Sequence, residues 1–386
     1  MMRYGMALLA SSFAGQNRLV FPEDICKKVS GFLTEKIEIP EDNLENFKKY
    51  LSNKPGSPRY TPLRRALEKG KSIKVEKQDL LLSNPKLLSS PGALTQNYFE
   101  DALSLAHILK LVRKDHNLLL TRGRLSLSAE WRLEDPFQLN DIDSLYLGLW
   151  LLDIDRDWIW AFLSQIPSDP KFEITTNNRV DLLQKSWTHI LSARGIRSRR
   201  PQNAEIRTRL IKLREITKRN TDEKLNFGQP WSWFLFPRLE LLVDAGVFKK
   251  KERHGLSGYK LTSTGHKMRS ICVSHENGEK LLLNYFSCHT STDRLVASNI
   301  EWEDFESKLE KIASVIRTPV GYFPIFETAV AVCADQFLAP EQSDAPLWEI
   351  ENVKELLWKE SKSVSSRIRL AIDRQGQIYA FKIKQN

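Results

Sequence analysis

The chain has 386 residues, 41% of them hydrophobic and 27% charged, and 58 basic side chains against 48 acidic ones give a formal net charge of +10. Such a composition excludes a disordered chain, which buries too little apolar surface to fold, and the length favours two or three domains over one core. The positive excess points to an anionic partner, because a basic surface concentrates polyanions around itself, and leaves the fold open.

In chain order, Met1 to Gly15 carries Arg3 ahead of Ala7-Leu8-Leu9-Ala10. That imitates a leader but lacks a long apolar stretch and a small-x-small cleavage step, so a buried first strand or helix is expected. Residues 17–22 and 36–40 read as extended and 41–51 as a helix. Proline and glycine mark loops at 53–62 and 84–92. Apolar residues at helical spacing predict a helix over 97–112, with two short strands at 118–121 and 124–128 around Gly123. Leu145 to Leu163 approaches membrane length, yet Asp153, Asp155, Arg156 and Asp157 near its middle are costly in hydrocarbon; two packed core segments and no membrane anchor are expected. A helix follows over 180–193 and another from Asn203. Farther on, 280–285 reads as a strand, 302–315 as a helix, and 367–372 with 378–383 as a hairpin around Gln375-Gly376. No repeat of about twenty to fifty residues stands out.

The four cysteines, Cys26, Cys272, Cys288 and Cys333, show no CxxC spacing, which fits a reducing cytoplasm.

The most informative segment runs from Trp231 to Met268. Residues 237–246 read as a helix entered at Pro237 and ended by Gly246. A hairpin follows, with strands at 247–251 and 259–262 and a tip at 254–258. This arrangement resembles the winged-helix (winged helix-turn-helix) family, in which a third helix leads through a leucine-x-x-x-glycine step to a basic hairpin closing on Tyr-x-Leu-Thr-x-x-Gly. The matching residues are Leu242, Gly246, Tyr259, Leu261, Thr262 and Gly265, and with the upstream helices the resemblance covers about residues 178–268. It implies that the third helix faces the major groove of duplex DNA through Arg238. The wing would track phosphates through Lys249, Lys250, Lys251, Arg253, His254 and Lys260. Glu240 and Asp244 on the same helix would repel phosphates, which argues against sequence-specific readout.

Between Arg194 and Arg219 stand ten basic residues and two acidic ones. Arg194, Arg197, Arg199 and Arg200 read as loop, while Arg207, Arg209, Lys212, Arg214, Lys218 and Arg219 decorate the helix from Asn203, whose apolar face is Ile206, Leu210 and Leu213. Phosphate contact and a merely solvated face are both open readings of this segment. A fainter echo of helix and hairpin over 97–128, with Arg122 and Arg124 on the hairpin, is open to the same family reading or to ordinary mixed α/β structure.

Other constellations carry less. Cys272, His275, Cys288 and His289 fit no zinc-finger spacing, and no phosphate-cradling, zinc-protease or serine-hydrolase motif is present. Asp141, Asp143, Asp153, Asp155, Asp157 and Glu173 could hold magnesium for phosphodiester cleavage, or serve as helix-starting and turn carboxylates. Trp150, Trp158, Trp160, Trp231 and Trp233 could stack on bases, or fill a core or protein interface.

The expected chain is therefore mixed α/β, predominantly helical and multidomain, with at least one winged helix-turn-helix. Its expected units are 1–90, 91–177 as a helical scaffold, 178–270 as the winged helix, and 271–386 ending in a hairpin. The expected function is non-catalytic contact with duplex DNA, with no cofactor or metal, beside other protein subunits in a DNA-processing or defence complex. The alternatives are an adaptor that docks a helicase, nuclease or ATPase, and a divergent metal-dependent nuclease.

Overall fold

The computed structural model describes residues 4–17, 22–52, 60–71, 73–82, 96–115, 118–128, 139–175, 177–193, 204, 206–211, 230–253, 256–290, 294–339, 346–373 and 378–384. They are predominantly helical with small antiparallel sheets. No described helix is long and apolar enough to cross a membrane. The chain divides into two compact units, 1–123 with 130–140, and 124–129 with 141–386.

In the first unit, α1 (Tyr4–Asn17) is a helix apolar on all sides, and it is buried because α2 (Pro22–Thr34) and α6 (Gln96–Ile108) both pack on it. A smaller core gathers Phe47 and Leu51 of α3 (Glu41–Ser52), the edge of α4 (Thr61–Glu68), and Val75 of β2 (Lys74–Glu76). β2 pairs antiparallel with β1 (Lys36–Glu38) and leads into α5 (Lys77–Leu82). The boundary expected at residue 90 falls within this unit, since α6 packs on α1 and α2.

Two expectations are corrected here. The helix expected to reach residue 112 stops at Ile108: Lys110 adopts φ 58°, and its neighbour Leu111 donates back to the Ala106 carbonyl. Residues 121–128 form one helix, α7 (Thr121–Ser128), in place of the expected strands and hairpin. The alternation of Leu125 and Leu127 with polar residues imitates a strand, but Arg122, Gly123, Leu125 and Ser126 are the buried positions, at helical spacing. Ser126 tolerates burial because its hydroxyl accepts a bond from Trp150 Nε1 at 3.2 Å.

The second unit is organised on α8 (Asp141–Ser164), which is buried along most of its length. It breaks at Asp155, whose φ and ψ of −129° and 22° leave the helical region, so the two expected core segments are halves of one kinked helix. Against it pack α9 (Arg179–Ala193), α10 (Pro230–Asp244), α11 (Ser263–Ser274) and α12 (Glu279–Leu283), so the boundaries expected at 177 and 270 fall inside one unit. The strand expected at 280–285 is instead α12 and the start of α13 (Tyr285–His289); Leu281, Leu282, Tyr285 and Phe286 are buried on one helical face.

The chain continues through α14 (Trp302–Ile316), β5 (Phe323–Pro324), α15 (Ile325–Leu338), α16 (Ile350–Lys362), β6 (Ile368–Ile372) and β7 (Ile378–Ile383). The last two pair as the expected hairpin, and β5 joins the far side of β7. Phe305, Phe323 and Phe381 fill the space beneath this sheet.

Glu349 fixes the start of α16. It caps that helix reciprocally with Asn352, and its carboxylate accepts bonds from Ser287 N at 2.8 Å, Ser287 Oγ at 2.6 Å and Phe286 N at 3.3 Å. Burial pushes this carboxyl up to about 7 from an ordinary 4.5, against the pull of those hydrogen bonds. The folded chain therefore binds this proton more tightly than the unfolded one. The resulting stabilisation is fully present below about pH 4.5 and is lost as pH rises through about 7. Urea titrations should show a decline of about 3 kcal/mol across that window. Glu349→Gln should flatten it; an unchanged slope in that variant would assign the pH dependence to other groups.

Candidate nucleic-acid interface

The hairpin is longer, and its tip shorter, than expected: β3 (Phe248–Arg253) pairs with β4 (Leu256–Leu261) from Phe248↔Leu261 to Arg253↔Leu256. Ile174 adds a third rung on the far side of β4, exchanging both backbone bonds with Tyr259 at 2.8 and 3.0 Å. The helix ahead of the hairpin also starts earlier than expected, at Pro230, with Pro237 inside it.

Each residue of the Leu-x-x-x-Gly and Tyr-x-Leu-Thr-x-x-Gly steps has a physical role. Gly246 takes φ 74° as the helix ends, while Val247 N bonds back to the Leu242 carbonyl. Leu261 is buried, and Tyr259 OH donates to Glu240 Oε1 at 2.6 Å. Thr262 caps α11: its hydroxyl accepts from Gly265 N at 3.1 Å and donates to the Gly246 carbonyl at 2.6 Å. A Cβ on Gly265 would stand 2.2 Å from the Val247 carbonyl oxygen, which the hairpin holds in place. Gly265→Ala is expected to destabilise the chain by about 1–3 kcal/mol through overpacking. A denaturant midpoint equal to the parent would contradict this.

The period-2 alternation of a strand divides the lysines of β3. Lys249 and Lys251 point outward and are exposed, and Lys260, paired across from Lys249, is half-exposed on the same side. Lys250 points the other way. Its side chain is 0% exposed, and its Nζ lies 2.7 Å from Glu240 Oε1 in an equally buried ion pair. Lys250 is thus withdrawn from the phosphate-facing set, because a side chain enclosed on all sides cannot reach a ligand. The same pair removes Glu240 from the surface where it was expected to repel phosphates.

Arg238 is also engaged internally. Its Nε donates to Asp155 Oδ2 at 2.5 Å and its guanidinium lies over the Trp158 ring at 5.4 Å. Burial raises the Asp155 pKa and Arg238 opposes that rise. Every side chain of α10 from Leu235 to Asp244 is buried or half-buried, so this stretch offers no exposed face for a groove. One carboxylate sits close to the outer hairpin face: Glu173 occupies the space where a Cβ of Gly258, opposite Lys251, would stand.

Of the arginine-rich segment, residues 204 and 206–211 are helical, with Leu210 buried, Arg207 half-buried and Arg209 exposed. Arg194, Arg197, Arg199, Arg200 and Lys212 lie outside the described residues, as do His254 and the side chain of Arg253.

The other constellations resolve differently. Among the described residues no three His, Cys, Asp or Glu side chains assemble as a metal-holding group. Cys272 and Cys288 are buried free thiols; burial pushes the Cys288 pKa up to about 12 and the His289 pKa down to about 4, which keeps the thiol protonated and the imidazole neutral. Trp150, Trp158 and Trp160 are buried and cannot stack on bases. Comparison with family models, curated proteins and solved structures returns no match.

Proposed function

We propose that the elements from Ile174 to Ser274 form a winged helix that holds duplex DNA by its backbone through the outer face of the hairpin, with no catalytic step of its own. The observation that carries this reading is the sorting of charge by the strand pleat: Lys249, Lys251 and Lys260 share the solvent side while Lys250 is neutralised inside. Lysines on a strand face neutralise phosphates and release counterions without reading bases. The covered stretch of α10 fits that mode, since backbone contact needs no helix in the groove. The basic residues between Arg194 and Arg219 lie within this stretch of sequence, between α9 and α10, and add to the same electrostatic character.

The test is an anisotropy titration of the full chain against labelled duplex and single-stranded DNA. The parent is compared with a variant carrying Gln at Arg197, Arg199, Arg200, Lys249 and Lys251. Salt-sensitive duplex binding that the variant loses is the expected result. Absence of binding by the parent at low salt would transfer the hairpin to the adaptor reading, in which it docks a protein subunit.

A further inference from the structure

The last part of the chain repeats the strand order around β3 and β4, with helices between the early strand and the hairpin in both copies. In the first copy the C-terminal half of α8 leads to the single paired residue Ile174, then through α9, the helical residues 204 and 206–211, and α10 to the hairpin. In the second, α14 leads to β5, then through α15 and α16 to the β6–β7 hairpin. Both sheets have the same order: the early short strand pairs with the last strand, which pairs with the one before it.

The correspondence extends to single residues. Phe248↔Leu261 opens the first hairpin and Ile368↔Ile383 the second. One step in, Lys249↔Lys260 corresponds to Arg369↔Lys382. At the next step, Tyr259 and Phe381 are the buried aromatics of the last strands, each paired with the early strand, to Ile174 and Phe323. Two cations directly opposite one another destabilise a hairpin in isolation, and both copies place such a pair at the same step. An anion lying across each pair offsets that repulsion.

Arg317 approaches the second pair: its guanidinium and the Lys382 side chain each come within 3.5 Å of where a Cβ of Gly321 would stand, and further cations lie nearby in the chain. Lys384 is exposed beyond β7, and Lys359 and Lys362 are exposed on α16, with Lys362 Nζ 4.1 Å above the half-exposed Trp358 ring. The acidic groups nearby in the chain are the half-buried Glu351, the exposed Glu355 and Asp373, and Glu360, which accepts a bond from Arg367 N. Arg367 itself is paired with Glu303 at 3.0 Å. Unlike α10, α16 keeps an open face, burying Ile350, Val353 and Leu357 and exposing Glu355, Trp358, Lys359 and Lys362.

We infer that residues 302–383 are a second copy of the wing-bearing module, and that the Arg369–Lys382 face of its hairpin, with Lys384 beside it, is a second contact for the phosphodiester backbone of duplex DNA. The choice of polyanion rests on the reading of the first hairpin; the repeated register does not.

The test uses the full chain and a labelled duplex over a salt series. One variant carries Lys249→Gln, Lys251→Gln and Lys260→Gln, another Arg369→Gln, Lys382→Gln and Lys384→Gln, and a third all six. The second variant is expected to bind more weakly and to lose about one unit of salt slope per contact removed, and the six-fold variant to lose more than either three-fold variant. Exchanging the charges, Arg369→Lys with Lys382→Arg, should preserve binding, which separates lost charge from lost folding. Undiminished binding by the second variant, or no binding by the parent chain, would overturn the inference. Weakening in the second variant alone would uphold it while removing the first hairpin from the DNA-contacting surface.

Discussion

Replacing Glu240 by alanine is expected to lower the unfolding free energy by about 3–5 kcal/mol, because it takes from the enclosed Lys250 ammonium the carboxylate that faces it at 2.7 Å. Both side chains are wholly enclosed, and Glu240 Oε1 serves Lys250 Nζ at 2.7 Å and Tyr259 OH at 2.6 Å, so one truncation removes the ion pair and the tyrosine's hydrogen bond together. Replacing both charges, Glu240→Leu with Lys250→Met, should recover most of that loss, since an apolar pair of similar volume carries no desolvation cost. Denaturant midpoints at constant slope measure both effects. The double variant should also bind duplex DNA as the parent does, because Lys250 does not reach the surface; a weaker affinity would return that lysine to the interface.

The largest effect on binding is expected from salt. Each phosphate neutralised contributes about −0.9 to the slope of log K against log salt, so three contacts amount to about fortyfold in affinity over a fourfold rise in salt. The Lys249, Lys251 and Lys260 set should therefore remove about three units of slope when converted to glutamine. Folding should be little affected, because Lys249 and Lys251 are exposed and Lys260 is half-exposed, and surface substitutions usually cost within about 0.5 kcal/mol. A slope identical to the parent would show that the hairpin does not touch the backbone.

Much of the local structure was legible because it rests on short-range rules. Helices α3, α9 and α14 and the C-terminal hairpin follow their apolar periodicity, and Gly246 and Gly265 stand where the backbone demands them, at a positive φ and against a carbonyl. Where the structure departs from these rules, two causes are at work. At Ser126 and Lys250 the deciding partner is Trp150 or Glu240, which neighbours in the chain do not reveal, whereas at Lys110 a left-handed turn closes the helix locally with no glycine to mark it. The repeated module escaped notice for a related reason. Its two copies share pairing order and register with little common sequence, and their matching rungs, Tyr259 and Phe381, lie far beyond the period of a sequence repeat.

By itself the sequence determined the excess of positive charge, the helical character and the place of the first hairpin, because composition, helical periodicity and turn residues act over a few neighbouring positions. Only the tertiary structure decided which charges face solvent. Strand pleat and burial leave Lys249 and Lys251 outside while drawing Lys250 onto Glu240 and Arg238 onto Asp155, and a buried charge persists only where a partner distant in sequence meets it.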